Sequence, residues 1–176
     1  MRLSMTLSLA FLLAGALPTA RSAGTTPPPE SRLRLFHTHT GERLNVVYRR
    51  GDSYVPEGLA KLDRFLRDHR TGEVHHYDPQ VFDLLSQVTA SVGRAGAELE
   101  IICGYRTPWS NEYLRTHSTG VAKNSLHMQA EAIDVRLPGT PLTKFRDAAL
   151  ALRRGGVGFY PGSNFIHVDV GRVRRW

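Results

Sequence analysis

Three side chains in the second half of this sequence, His127, Asp134 and His167, have the makings of a metal centre. Two imidazole nitrogens and a carboxylate form a donor set that leaves a tetrahedral Zn²⁺ one open position for water. A cation held in that way makes hydroxide available at neutral pH and so serves hydrolysis. Asp169 follows His167 by two residues and shares its face if the segment is a strand. It can then take a proton from water, or it can accept a hydrogen bond from a ligating histidine. Taken separately, the same residues are ordinary surface groups of a basic protein, and spacing alone does not decide between the two.

The elements that must carry these residues are visible in the hydrophobic pattern. Ala130 to Val135 reads as a strand with Ala130, Ala132 and Asp134 on one face and Ile133 and Val135 facing the core. Val157–Tyr160 and Phe165–Val170 flank the Pro161-Gly162-Ser163-Asn164 turn and predict a hairpin whose second strand places His167 and Asp169 together. Upstream, Leu33 and Leu35, then Leu44, Val46 and Tyr48, predict another hairpin around His39-Thr40-Gly41-Glu42. Leu99 to Cys103 reads as a short buried strand that stops at Gly104. Helices are predicted from Pro56, from Asp78-Pro79 with Asp78 as N-cap, from Ser110, and from Thr140-Pro141. Residues 116–126 read as a loop, with His117 an exposed histidine. The expected class is α+β, a small antiparallel sheet with flanking helices.

Length and composition bound the rest. A chain of 176 residues with 41% apolar and 22% charged residues has room for one folded domain and is neither disordered nor membrane-filled. Its single cysteine, Cys103, excludes an internal disulfide framework and an all-cysteine metal site. Arg2 followed by the uncharged apolar run Leu7–Leu17 and the small residues Ala20 and Ser22 reads as a secretory signal over residues 1–22. An uncleaved anchor is the alternative, but the run is shorter than the ~20 residues a spanning helix needs. Residues 23–31, with Pro27, Pro28 and Pro29, form a stiff spacer, and 32–176 the domain. Cleavage would remove Arg2 and Arg21 and no acid, so the formal charge of +7 becomes +5. An excess of this sign suits an acidic polymer. Nucleic acid is not expected, because the basic residues are dispersed and the signal predicts export; the expected location is the periplasm and the expected state a monomer.

Longer motifs carry a family resemblance. Ser125-Leu126-His127-Met128-Gln129-Ala130-Glu131-Ala132-Ile133-Asp134 resembles the S-x-H-x-x-G-x-A-x-D signature of the D-alanyl-D-alanine carboxypeptidase-like zinc peptidases. Gly104-Tyr105-Arg106-Thr107 with Asn111 is similar to their G-Y-R-[ST]…N segment. The stretches Gly155–Pro161 and Ser163–Asp169, with His39–Glu42 and Trp176, resemble the exported murein endopeptidase branch. The resemblance implies a hedgehog/DD-peptidase-like zinc peptidase fold and zinc held by His127, Asp134 and His167. It further implies that Arg106 steadies a substrate carbonyl and its oxyanion, that Ser125 supports the site by hydrogen bonding, and that the substrate is a peptidoglycan stem peptide at a crosslink.

Two departures from the pattern matter. Ala130 replaces the usual glycine, which costs little unless the backbone there needs φ > 0. Asn164 stands where many relatives carry an acidic general base; an amide cannot accept the proton, which leaves Asp169 as the nearest carboxylate in sequence for that role. Cys103 reads as a small buried residue rather than a nucleophile. Tyr160 reads equally as a core aromatic and as a substrate contact. The competing functions are a wall-binding or regulatory protein with a residual metal site, and a carboxypeptidase that trims terminal D-alanine.

Overall fold

The computed structural model describes residues 28–176; the signal expected over 1–22 and residues 23–27 of the expected spacer lie outside them. Extended Pro28-Pro29 runs directly into β1 (Glu30–His37), so the domain begins within the spacer expected for 23–31, and Gly51 N–H already donates to the Pro29 carbonyl at 2.8 Å. β1 pairs antiparallel with β2 (Arg43–Arg50), and β3 (Ser53–Tyr54) adds a short edge. Then follow α1 (Pro56–Phe65), α2 (Gln80–Ser91), β4 (Glu98–Cys103), α3 (Pro108–His117) and a 3₁₀ turn, Leu126–Gln129. β5 (Ala132–Arg136), α4 (Leu142–Leu152), β6 (Gly156–Tyr160), β7 (Phe165–Asp169) and β8 (Arg174–Arg175) complete the chain.

The α+β class is as expected, but the sheet is neither small nor purely antiparallel. It has eight strands in the order β3-β2-β1-β4-β5-β7-β6-β8, with β1–β4 and β6–β8 parallel. The parallel pairing joins strands about sixty residues apart through α1 and α2, a crossover that no local alternation reveals. One face of the sheet, bearing Leu35, Leu99, Ile101, Ile133, Val135 and Ile166, is sealed by the helices through Phe82, Leu85, Val88 and Phe145, all fully or almost fully buried.

Local chemistry explains the element boundaries. Pro56 opens α1, where its missing N–H costs nothing. The N-cap of α2 is Pro79 rather than Asp78, although Asp78 Oδ1 accepts from Gln80 N–H at 2.9 Å just ahead of the helix. Ser110 does not start α3: the helix opens two residues earlier, and the Thr107 side chain caps it by accepting from Ser110 N–H at 3.1 Å. Ala130 is not in a strand. It ends the 3₁₀ turn at φ 54°, ψ 37°, so the glycine's replacement carries a left-handed penalty of about 1–2 kcal/mol.

Candidate metal centre and active site

On the open face of the sheet the strand register lines up one row: Cys103 of β4, Asp134 of β5, His167 of β7 and Gly158 of β6. Cys103 reaches this face because β4 is bulged between Ile101 and Cys103; Ile101 pairs with Val135, but Cys103 pairs with Asp134. The 3₁₀ turn brings His127 over the row, and Ser125 Oγ accepts from its N–H at 3.4 Å. His127 Nε2 lies 3.2 Å from Asp134 Oδ1 and 3.1 Å from His167 Nδ1, and His167 Nδ1 lies 3.0 Å from the same carboxylate oxygen. Residues separated by up to forty positions therefore present three donor atoms to one point.

The outer partners fix which nitrogen faces inward. His127 Nδ1–H donates to the Gly104 carbonyl at 2.7 Å, which leaves the Nε2 lone pair facing the cluster. His167 Nε2–H donates to Asp169 Oδ2 at 3.0 Å, which does the same for Nδ1. Two lone pairs and a carboxylate oxygen facing one another at about 3 Å repel unless something positive sits among them. A tetrahedral zinc with bonds of about 2.0–2.1 Å requires donor separations of about 3.3–3.4 Å, close to those observed, so the residues fit a single small cation. The titration of the cluster shows the same demand. Burial opposes the charge on His127, yet the Asp134 carboxylate outweighs it and lifts the ring to about 9. Burial likewise opposes the charge on Asp134, but the two histidines hold it far below the usual carboxylate range.

Asp169 is fully enclosed and already saturated. Its oxygens accept from His167, from the N–H groups of Gly156 (2.8 Å) and Gly171 (2.9 Å), and from both terminal nitrogens of Arg174 (3.1 and 2.7 Å). Burial raises it, but these donors prevail and bring it down to about 2. It stands behind His167 and does not line the cleft, where Asp134 is the only acid among the described residues. Asn164 is exposed at φ 53° in the turn before β7, a conformation to which asparagine is suited.

Arg106 is pinned beside the donors. Its Nε donates to Cys103 Sγ at 3.2 Å, one terminal nitrogen to Asn111 Oδ1 at 3.2 Å, and the other to Asp134 Oδ2 at 3.3 Å. A guanidinium has five N–H groups, so two remain for a ligand. Asn111 is itself held by the carbonyl of Ala122 at 3.0 Å. Gly104 must lack a side chain, since a Cβ there would collide with the Leu66 carbonyl oxygen.

Cys103 was not expected at the site. Its sulfur comes within 4.8 Å of donor atoms of His127 and Asp134, so those three form an alternative metal grouping. The histidine-aspartate set is tighter, and the sulfur is engaged by Arg106. Burial disfavours its thiolate, but His127 and Arg106 together bring the thiol below its ordinary range. The strand period hid this, because one bulged residue reverses which face a side chain takes. Trp176 also closes on the site: its ring lies over Gly158, where a Cβ would come within 2.7 Å, and its Nε1–H donates to Tyr160 Oη at 2.7 Å. Tyr160 thus borders the cleft as well as packing on Phe165. His117 stays away from the cleft, exposed at the end of α3 and stacked on Tyr113.

The cleft that joins these groups encloses about 390 Å³. An inward-facing donor triangle, a guanidinium with N–H groups to spare and an open groove define a hydrolase of the metallopeptidase class. The chain belongs to the family described as peptidoglycan L,D-endopeptidase MepK, whose model matches residues 26–176. It is 44% identical over 160 residues to the Haemophilus influenzae protein named "Probable peptidoglycan L,D-endopeptidase MepK", covering 91% of this chain and 86% of that one. It is 40% identical over 163 residues to the Escherichia coli K12 "Peptidoglycan L,D-endopeptidase MepK", covering 93% and 89%. No solved structure matches the chain at a significant level.

Proposed function

We propose that this chain is an exported, zinc-dependent endopeptidase that hydrolyses L,D-type peptide crosslinks of peptidoglycan, in a hedgehog/DD-peptidase-like zinc peptidase architecture. The observation that carries it is the triangle of His127 Nε2, Asp134 Oδ1 and His167 Nδ1, with sides of 3.0–3.2 Å. The bond type and the wall substrate come from the names of the relatives. A periplasmic location follows from that substrate and from the signal-like residues 1–22, and no helix among the described residues is long and apolar enough to cross a membrane.

In this reading His127, Asp134 and His167 hold the zinc. When bound, the metal supplies Lewis acidity and hydroxide at neutral pH. Gly104 and Asp169 keep the two imidazoles in the ligating tautomer, the outer-partner role of Asp169 left open by its sequence position. Proton acceptance by Asp169 is the less favoured role, since five donors already occupy its oxygens. Arg106 presents its two unengaged N–H groups to the scissile carbonyl oxygen, where negative charge develops. Asn111 and Cys103 hold that guanidinium in place.

The test is crosslinked muropeptide turnover by the purified mature chain. Cleavage is expected to stop on chelation and to return with added zinc. Activity indifferent to a chelator, or free D-alanine as the product, would refute this assignment. Asp169→Asn separates the two roles of that residue. As a positioning group its loss lowers zinc affinity and activity together, by roughly 10–100-fold. As a proton acceptor its loss would spare the zinc titration and reduce only the rate.

A further inference from the structure

The cleft extends beyond the donor triangle on the side of β1, and nothing in the proposed reaction uses that end. His39 lies two residues past the end of β1 and is held near the end of β4, because Thr38 N–H and Thr38 Oγ1 both donate to the Ile101 carbonyl at 3.0 Å. His69 comes from the turn after α1. That turn is held against the site loop by Asp68, which accepts from Thr107 N–H at 2.8 Å and Thr107 Oγ1 at 2.9 Å. The two imidazoles stack with centroids 4.2 Å apart and planes 3° from parallel. Beneath them His37 is completely buried, accepts from His39 N–H through Nδ1 at 3.3 Å, and has no partner for Nε2 among the described residues. Arg70 borders the same end, exposed, and its guanidinium makes no hydrogen bond to any described residue. The stacked rings and Arg70 thus line the same cleft, whose only acidic lining residue among those described is Asp134 of the donor triangle.

We propose that His39, His69 and Arg70 form a carboxylate subsite that binds a free acid of the stem peptide next to the scissile crosslink. The inference rests on the reading of this cleft as a peptidoglycan endopeptidase site and adds the feature of the substrate that it selects. A guanidinium matches a carboxylate with two parallel N–H donors, and imidazole edges can add a third. Burial, with the Arg70 charge alongside, depresses His69 to about 4, so near neutrality it is an uncharged ring with one N–H. The fixed charge of the subsite therefore lies on Arg70, and the stacked rings give it shape. The His39-Thr40-Gly41-Glu42 turn, otherwise only a hairpin loop, acquires a function in this arrangement.

The experiment compares two crosslinked muropeptides that differ only in whether the acids flanking the crosslink are free or carboxamides. The mature enzyme is expected to prefer the free acid by about tenfold in kcat/KM, the size of one charge-assisted hydrogen bond. In Arg70→Gln, an exposed position where folding is not at stake, that ratio should collapse toward one, chiefly through KM. A ratio near one in the parent enzyme, or an unaltered ratio in Arg70→Gln, overturns the subsite. Binding gives an arm independent of turnover. Imidazole resonances of His39 and His69 should shift when the acidic stem peptide is added to the zinc-loaded chain and not when the carboxamide form is added. If neither muropeptide is cleaved but the shifts are selective, the endopeptidase reading fails while the subsite stands; shifts absent or equal for both peptides overturn the subsite.

Discussion

In His127→Ala, zinc binding and crosslink hydrolysis are expected to disappear together. The imidazole supplies one of three donors, and its Nε2 is the atom that faces both of the others. Without it Asp134 and His167 remain as a pair on adjacent strands, a set too small for a closed tetrahedral site. The loss should exceed the roughly 10–100-fold that disturbing an outer partner costs, reaching about 10³-fold or more in turnover. His127 is 1% exposed, and the variant also frees the Gly104 carbonyl, so a stability loss of about 1–3 kcal/mol accompanies the change. Circular dichroism and a thermal melt show whether the fold survives. Zinc content by atomic emission and muropeptide turnover then read the site. A folded variant that still holds one zinc per chain and cleaves normally would remove His127 from the centre.

The faces taken by Asp134 and His167 were legible in local alternation, whereas their grouping with His127, which sits on a 3₁₀ turn, was legible only through the family motifs. A strand sends Asp134 to the face opposite Ile133 and Val135, and the hairpin through Pro161–Asn164 sets His167 opposite Gly158, whereas the register of His167 against Asp134 comes from the pairing of β5 with β7 across α4 and β6. What could not be read depends on contacts remote in sequence or on a single irregular residue. The parallel β1–β4 pairing, and with it the eight-stranded mixed sheet, has no local signature. Nor does β8, two residues long. The bulge in β4 moves Cys103 from the core face to the site, and period-two reasoning assigns it the wrong side. Gly104 looks like a strand breaker in the sequence; in the fold its carbonyl sets the tautomer of His127. Asp169 is an acid in a suggestive place by sequence alone, whereas its five donors come from Gly156, His167, Gly171 and Arg174, a group that only the closed hairpin and β8 assemble. Ala130 shows the reverse. The missing glycine was visible, and its cost became definite only once the backbone proved left-handed.

Arg106→Ala is expected to lower kcat by about 10²–10³, the usual cost of deleting a donor to a developing oxyanion, while zinc stays bound. The prediction separates the arginine from the ligands, although its guanidinium bonds one of them, Asp134. Arg106 contacts Asp134 through Oδ2, and the donor triangle uses Oδ1. The carboxylate therefore keeps its bonds to both histidines when the guanidinium is removed. Its second oxygen loses a charged partner, as does Asn111 Oδ1, so some stability is lost, but the triangle is held from outside by Gly104 and Asp169. Arg106→Lys sharpens the test. Lysine restores the charge but cannot bond Cys103, Asn111 and Asp134 simultaneously from one planar group and still present two aligned N–H donors. It should recover little of the rate. If charge alone mattered, the lysine variant would approach the parent enzyme. If Arg106 were a structural brace only, both variants would lower the melting temperature and leave kcat within a fewfold of the parent. Zinc near one per chain, a large fall in kcat in both variants and a smaller change in KM is the pattern that places this guanidinium at the reacting carbonyl.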